Sequence, residues 1–344
     1  MEGDEHKRTD APRASTPPRQ ERRTPRPWQR WAFAAVPAVG LLELGAHVVQ
    51  THSSIPDADW RSARDYVGSQ IQPDDLVSFA PRWVDPIGRE QLGPSLATLE
   101  REARPDESRF PRAFEVSIRG AHDASLEGWR QTGESRFGAV TVRTLENPQP
   151  VHIVDDLVSM VGAERMQVSR VDGDKVTDCP FSHAAPAGGG LGAGPALPAD
   201  RFVCPGGGFV AASVAADLGY RARRCIYTTP QGGGRGLVRI RFRGVRLGRS
   251  LHGHHGLYVE AERNKSGAPV TITFRVGDQV VGSVVHHDGE GWKPFEFDTS
   301  ELAAAANKTG HDDGSEAGGR VDLVAEIGSP SADRRMYCFE ADTR

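Results

Sequence analysis

The absences in this chain narrow its chemistry first. No GxGxxG follows a strand-like run, and Gly232-Gly233-Gly234-Arg235-Gly236 lacks the Lys-Ser/Thr of a phosphate loop, so no nucleotide site is implied. Nothing of the form GxSxG marks a strained nucleophile elbow. Cysteine is scarce: four among 344 residues, with no CxxC pair and no Cys and His at ligand spacing, which argues against a zinc finger. Positive charge is not in surplus either, because 42 Lys and Arg stand against 46 Asp and Glu and the local basic excess is confined to residues 1–30. A nucleic-acid partner is therefore not expected. With no acid, base and nucleophile set in view, the sequence favours a non-catalytic protein, and no cofactor is expected.

One long apolar run is present. Trp31 to Val49, WAFAAVPAVGLLELGAHVV, is nineteen residues, which as a helix span about 28 Å, close to a bilayer's hydrocarbon thickness. Arg19, Arg22, Arg23, Arg26 and Arg30 precede it against a single Glu21, with Trp28 and Trp31 at the boundary, so the positive-inside rule places the N-terminus in the cytoplasm. Residues 31–49 are thus expected to be a transmembrane signal anchor that touches the lipid bilayer, and all that follows is expected to be extracytoplasmic, in the periplasm or cell envelope. A cleaved signal peptide is an alternative, although Ala46-His47-Val48 fits a cleavage site poorly. A buried core helix is another, favoured by Glu43 and His47. Residues 1–30, rich in Pro, Arg, Ser, Thr and Glu and nearly devoid of aliphatic side chains, read as a disordered cytoplasmic tail.

All four cysteines, Cys179, Cys204, Cys225 and Cys338, lie in the proposed exterior part, and an even number there suggests two disulfides. Of three connectivities we favour Cys179 with Cys204, closing the Gly/Pro/Ala-rich loop 185–199, and Cys225 with Cys338, tying an early strand to the last.

Residues 51–172 read as a small α/β domain. Trp60, Ala63, Val67 and Ile71 recur at helical spacing after Pro56. Leu76–Ala80, Ala113–Ile118 and Gly138–Leu145 are strand-like, with a second helix expected over Leu92, Leu96 and Leu99, a short one around Leu126 and Trp129, and a connecting helix over Ile153–Val161. The strings DWRSARDYV, DDLVSFAPRW, RAFEVSIRG and GWRQTGESRFGAVTVRTLENP (residues 59–148) resemble the soluble domain of bacterial polytopic glycosyltransferases that use lipid-linked sugars. In that family the catalytic carboxylate lies in an exterior loop after the first of many membrane helices. This chain has no such loop, so the resemblance implies an accessory domain without the catalytic part.

Residues 173–200 read as a Gly/Pro/Ala-rich linker, and residues 201–344 as an all-β sandwich. Val238, Ile240 and Phe242 alternate with Arg239, Arg241 and Arg243 in the manner of a half-buried strand. Runs at Leu257–Glu262, Val270–Val276, Val280–His286, Phe295–Phe297, Val321–Ile327 and Arg335–Phe339 follow at sandwich spacing, with a hairpin turn at Gly277-Asp278. The stretch GWKPFEFDTSEL (residues 291–302) resembles a jelly-roll module of the carbohydrate-binding type.

Candidate site residues come from this second half. His252, His254 and His255, with His286 and His287 beside Asp288, read as two His-rich turns that, brought to one end of the sandwich, are able to ligate zinc, copper or nickel; solvent loops that tolerate His are the competing reading. Trp292 at a sandwich rim is able to stack on a sugar, or else caps the core. Asp74-Asp75 before a strand suggests a sheet-end carboxylate or an ordinary turn. The expected protein is a membrane-anchored, non-catalytic envelope protein that binds a glycan or envelope partner. Alternatives are an accessory or degenerate relative of a membrane glycosyltransferase, and a structural scaffold.

Overall fold

The computed structural model describes residues 27–52, 55–186, 197–218, 221–230, 236–311, 319–331 and 335–344. They fall in two compact units, residues 1–54 and 55–344. In the first, helix α1 (Pro27–His52) runs through the apolar stretch with Pro37 inside it. Among the described residues no helix is long and apolar enough to cross a membrane. The expected anchor over residues 31–49 is therefore unsupported; Pro37 removes an amide from the ladder, and Glu43 and His47 interrupt the apolar surface. The expected tail lies outside the described residues except for its last four, which join α1.

The second unit begins with α2 (Asp57–Gln70), which buries Trp60, Ala63 and Val67 at helical spacing. Then come β1 (Asp75–Ala80), α3 (Asp85–Leu92), α4 (Leu99–Glu102), β2 (Arg112–Ile118), β3 (Arg130–Phe137) and β4 (Val140–Glu146). The sheet order is β1-β2-β4-β3, parallel between β1 and β2 and antiparallel elsewhere. Both parallel strands are buried nearly throughout, as a covered parallel pair requires. The helix expected over residues 92–99 is split instead: Gly93 turns at φ 83° ahead of Pro94, and only four residues resume as α4. Around Leu126 there is a single 3-10 turn, and polar β3, RQTGESRF, pairs at the sheet edge although its exposed faces carry no apolar alternation.

The sandwich contains β5 (Asp155–Asp156), β6 (Met166–Asp172), β7 (Lys175–Cys179), β8 (Phe181–His183), β9 (Asp200–Val203), β10 (Phe209–Leu218) and β11 (Arg221–Thr228). It continues with β12 (Gly236–Arg246), β13 (Ser250–Leu257), helix α5 (Val259–Asn264), β14 (Val270–Val276), β15 (Gln279–His286), β16 (Lys293–Asp298), helix α6 (Ser300–His311), β17 (Arg320–Gly328) and β18 (Tyr337–Thr343). One sheet has the order β16-β13-β18-β11-β10-β9-β8, with β5 beside β18; the other runs β15-β14-β17-β12-β6-β7. Ile240, Phe242, Ile272, Phe274 and Leu323 of the second meet Ile226, Leu251, Tyr337 and Phe339 of the first in one core. The arrangement is consistent with a jelly-roll-like, mostly β fold.

Three boundaries differ from the sequence expectation. Residues 167–171 belong to β6, which pairs with β12, so the sandwich recruits chain from before residue 172. Residues 153–161 form the short β5 and a 3-10 turn at Leu157–Met160 rather than a connecting helix. The stretch 173–200 contains β7 and β8, and its loop residues 187–196 lie outside those described. The structure joins Cys179 to Cys204 and Cys225 to Cys338, the pairing favoured above.

Candidate functional site

Strand alternation sorts the histidines onto opposite faces of the eight-stranded sheet. His255 points between the sheets, where its ring meets His286 at 4.9 Å and both approach Tyr337. His286 is fully buried and its Nε2 lies 2.6 Å from Glu262 Oε1. Burial, then the neighbouring His286, pushes His255 down to about 3, so it is a neutral core residue. Asp288 accepts from the buried Arg335 and from Gly267 N, which makes it a loop clasp, while His287 is exposed. The grouping of His286, His287 and Asp288 as a binding site is thereby replaced by a structural one.

The expected His-rich turn at residues 252–255 is a strand, and the expected strand at Leu257–Glu262 is largely helix α5. Gly253 makes this possible, because a side chain there would meet the Glu340 carbonyl and the Phe295 ring. His252 and His254 project from the other face with Glu340 and Asp342 of β18 directly across from them in register. His254 Nδ1 lies 2.7 Å from Glu340 Oε1. Burial pushes His254 down to about 4 and, with Asp342 and Asp106 nearby, holds Glu340 well above the carboxylate range. The pair is therefore a neutral hydrogen bond sharing one proton rather than an ion pair. Trp292 stacks on His254 at 5.6 Å, with Arg223 also over its ring, so the indole is half-buried packing and not a free sugar platform.

Segment 102–109 of the α/β layer covers this face. Arg223 Nη1 donates to the carbonyls of Arg104 and Pro105 at 2.6 and 2.8 Å, and Arg224 N to that of Ala103 at 2.6 Å. Arg344 bridges Asp342 and Asp106. Ligand atoms of Asp106, His252 and His254, one from each, lie within 4.8 Å of one another.

Beside that seam opens a cleft of about 700 Å³. It sits where β1 ends, the carboxyl end of the parallel pair, which is where open α/β sheets place ligands. Trp83, following β1, is 58% exposed at its edge, with the Arg119 guanidinium over its ring at 5.8 Å. Arg82, Arg89 and Arg221 line it together with Asp85, Glu102 and Asp123. Arg89 is held by Asp85 at 2.8 Å, and among the described residues Arg82 has no ion-pair partner. Burial, then the charges of Arg104 and Arg82, lowers Arg221, the response of a guanidinium crowded by its own kind. Glu102 is pushed up to about 8 by burial; Arg104 Nη1, 3.7 Å away, opposes this only partly, and Asp85 adds to it. Asp123 goes the other way: hydrogen bonds from Ser78 and Ser125 outweigh its burial and keep it ionised. At neutral pH Glu102 is thus a neutral acid and Asp123 an anion within an arginine-lined cleft.

Of these residues the sequence reading singled out only the region. Pro81-Arg82-Trp83 straight after a fully buried strand was the available signal, since an aromatic at a sheet's carboxyl end has no core to enter. Asp75 proves to lie at the opposite end of β1, bound to Arg112 at 2.9 Å.

The chain matches no model of a known protein family, and no curated protein matches it. Among solved structures it is similar to CBM51-2 and INT domains from Clostridium perfringens ZmpB, at 8% identity over 56% of this chain and 40% of that one, TM-score 0.26. It is also similar to the CBM22-1 xylan-binding domain from Paenibacillus barcinonensis Xyn10C, at 16% identity over 40% of this chain and 79% of that one, TM-score 0.23. A cyclase from Fischerella sp. TAU is similar at 12% identity over 40% of this chain and 73% of that one, TM-score 0.22. At these scores the likeness says nothing about a ligand. The resemblance of residues 59–148 to glycosyltransferases finds no support in them.

Proposed function

We propose that residues 55–344 form a non-catalytic binding module that works outside the cytoplasm and takes a glycan carrying an anionic group in the cleft at the end of β1. The observation that carries this reading is the placement of an exposed indole beside Arg82, which has no ion-pair partner among the described residues, and Arg221, whose Nη1 stands 3.5 Å from Glu107 Oε1. Trp83 offers an apolar ring for a sugar face, while Arg82 and Arg221 supply planar donors suited to a carboxylate or sulfate. The two disulfides support an oxidising compartment.

The test is a titration of the full chain with uronic-acid-containing and matched neutral oligosaccharides. Binding of the acidic series, weakened at least tenfold in both Trp83→Ala and Arg82→Ala, is expected. No binding, or binding unchanged in both variants, overturns the proposal. A catalytic reading has one observation in its favour, since a protonated Glu102 and an ionised Asp123 line the same cleft, the division that glycoside hydrolysis uses. Both Asp123 oxygens are already taken by Ser78 and Ser125, which favours binding. Release of shorter sugars that stops in Glu102→Gln would reverse that preference.

A further inference from the structure

We propose that Asp106, His252 and His254 bind one divalent ion of the zinc class at the seam between segment 102–109 and the eight-stranded sheet, independently of the glycan cleft. The donor set is one carboxylate and two imidazoles, a combination that suits zinc, nickel or copper far better than calcium or magnesium. The three ligand atoms already lie within 4.8 Å of one another. Ligands at about 2.0 to 2.2 Å from a tetrahedral ion stand about 3.4 Å apart, so closure needs side-chain rotations on the order of 1 Å and no backbone movement.

Two of the three donors have the outer hydrogen bonds that metal ligands ordinarily carry. Glu340 Oε1 lies 2.7 Å from Nδ1 of His254 and fixes the ring; in the tautomer whose Nδ1–H donates to that oxygen, Nε2 holds the lone pair for the ion. Ser108 N and Oγ occupy Asp106 Oδ1 at 3.0 and 2.6 Å, which leaves Oδ2 turned toward His252 and Arg344. His252 Nδ1 is buried, 4.0 Å from that oxygen, and makes no hydrogen bond among the described residues. A buried nitrogen left without a partner is destabilising unless something coordinates it. His252 and His254 sit two apart on one strand and so share a face, whereas His255 points into the core and takes no part. Arg344, 3.2 Å from Asp106, is the resident countercharge; it keeps Asp342 at 2.6 Å when the ion takes Oδ2. Because Asp106 belongs to the covering segment and the histidines to the sheet, the ion would staple the two layers.

The test uses the full chain stripped with EDTA, titrated with Zn²⁺ by calorimetry and with Co²⁺ by visible absorption. One equivalent is expected to bind with a d–d spectrum of low-symmetry nitrogen and oxygen ligation and to raise the melting temperature. Asp106→Asn and His252→Ala should each weaken binding at least tenfold, while the exposed His287→Ala should not. Melting in EDTA shows whether each variant is folded. No stoichiometric uptake by the folded wild-type chain, uptake unaffected by both ligand variants, or uptake lost equally in His287→Ala overturns the assignment.

Discussion

Trp292 lies flat on His254, with ring centroids 5.6 Å apart and planes within 6° of parallel. The stack places the indole at the start of β16 against the outer face of β13, beside the Cys225–Cys338 bridge and Tyr227. Trp292→Ala should therefore behave as a packing variant. A loss of about 1 to 3 kcal/mol is expected from the stack, the Arg223 contact and the exposed cluster. Denaturant unfolding measures it, and acidic-glycan affinity should stay within about twofold. A tenfold loss of affinity without a loss of stability would return Trp292 to the binding site.

Glu115 and Arg143 face each other across β2 and β4, 2.6 Å apart, with the carboxylate only 1% exposed. Arg143 also donates to Ser117 Oγ and the Ala121 carbonyl. Arg143→Met leaves the buried carboxylate with only Asp123 N at 2.9 Å and His122 Nδ1 at 3.3 Å, and should cost about 3 kcal/mol, whereas Arg143→Met with Glu115→Leu should recover most of that loss. Chemical denaturation of both variants decides; a single variant as stable as the pair would contradict the account.

The two disulfides close loops of unequal length, with separations of 113 and 25 residues. On the chain-entropy model they stabilise by about 4.8 and about 3.5 kcal/mol respectively. Cys225→Ser with Cys338→Ser should thus lower the melting temperature more than Cys179→Ser with Cys204→Ser. The reverse order would show that tying β7 to the end of β9 matters more than chain entropy.

Glu102 makes stability fall with pH. Burial keeps a proton on it in the folded chain up to about 8, against 4.5 for a free side chain; Asp85 on α3 adds to this, while Arg104 on its own segment and Arg89 on α3 oppose it. Between those values the unfolded chain has released a proton that the folded chain retains. Stability therefore decreases as pH rises through this window, by about 1 kcal/mol per pH unit, and levels off above it. Melts at pH 5, 6, 7 and 8 should show this slope flattened in Glu102→Gln. An unaltered slope would mean that other groups set it.

Export is testable through topology. A reporter active only outside the cytoplasm should work when fused after residue 55 and fail when fused before residue 28. A mature mass lacking the first 46 to 55 residues would mark α1 as a removed leader, and the opposite reporter pattern would place the folded unit inside.

Local signals carried much of the architecture. The alternation of Val238, Ile240 and Phe242 against arginines, the Gly277-Asp278 turn and the helical spacing of Trp60, Ala63 and Val67 each depend on neighbours a few residues away, and each appears as read. The even cysteine count in one half of the chain was likewise legible. Long-range packing settled the rest. Residues 250–257 look like a histidine-rich turn, yet become a strand because β16 and β18 offer two rows of hydrogen bonds. That pairing sends His255 into the core with His286 and turns His252 and His254 toward Asp106, nearly 150 residues earlier. The cleft has the same origin: Trp83, Glu102 and Arg221 share no sequence spacing, and only the docking of segment 102–109 onto β11 brings them to one place. Residue type and period are encoded locally, whereas a site built from four segments exists only after the layers pack.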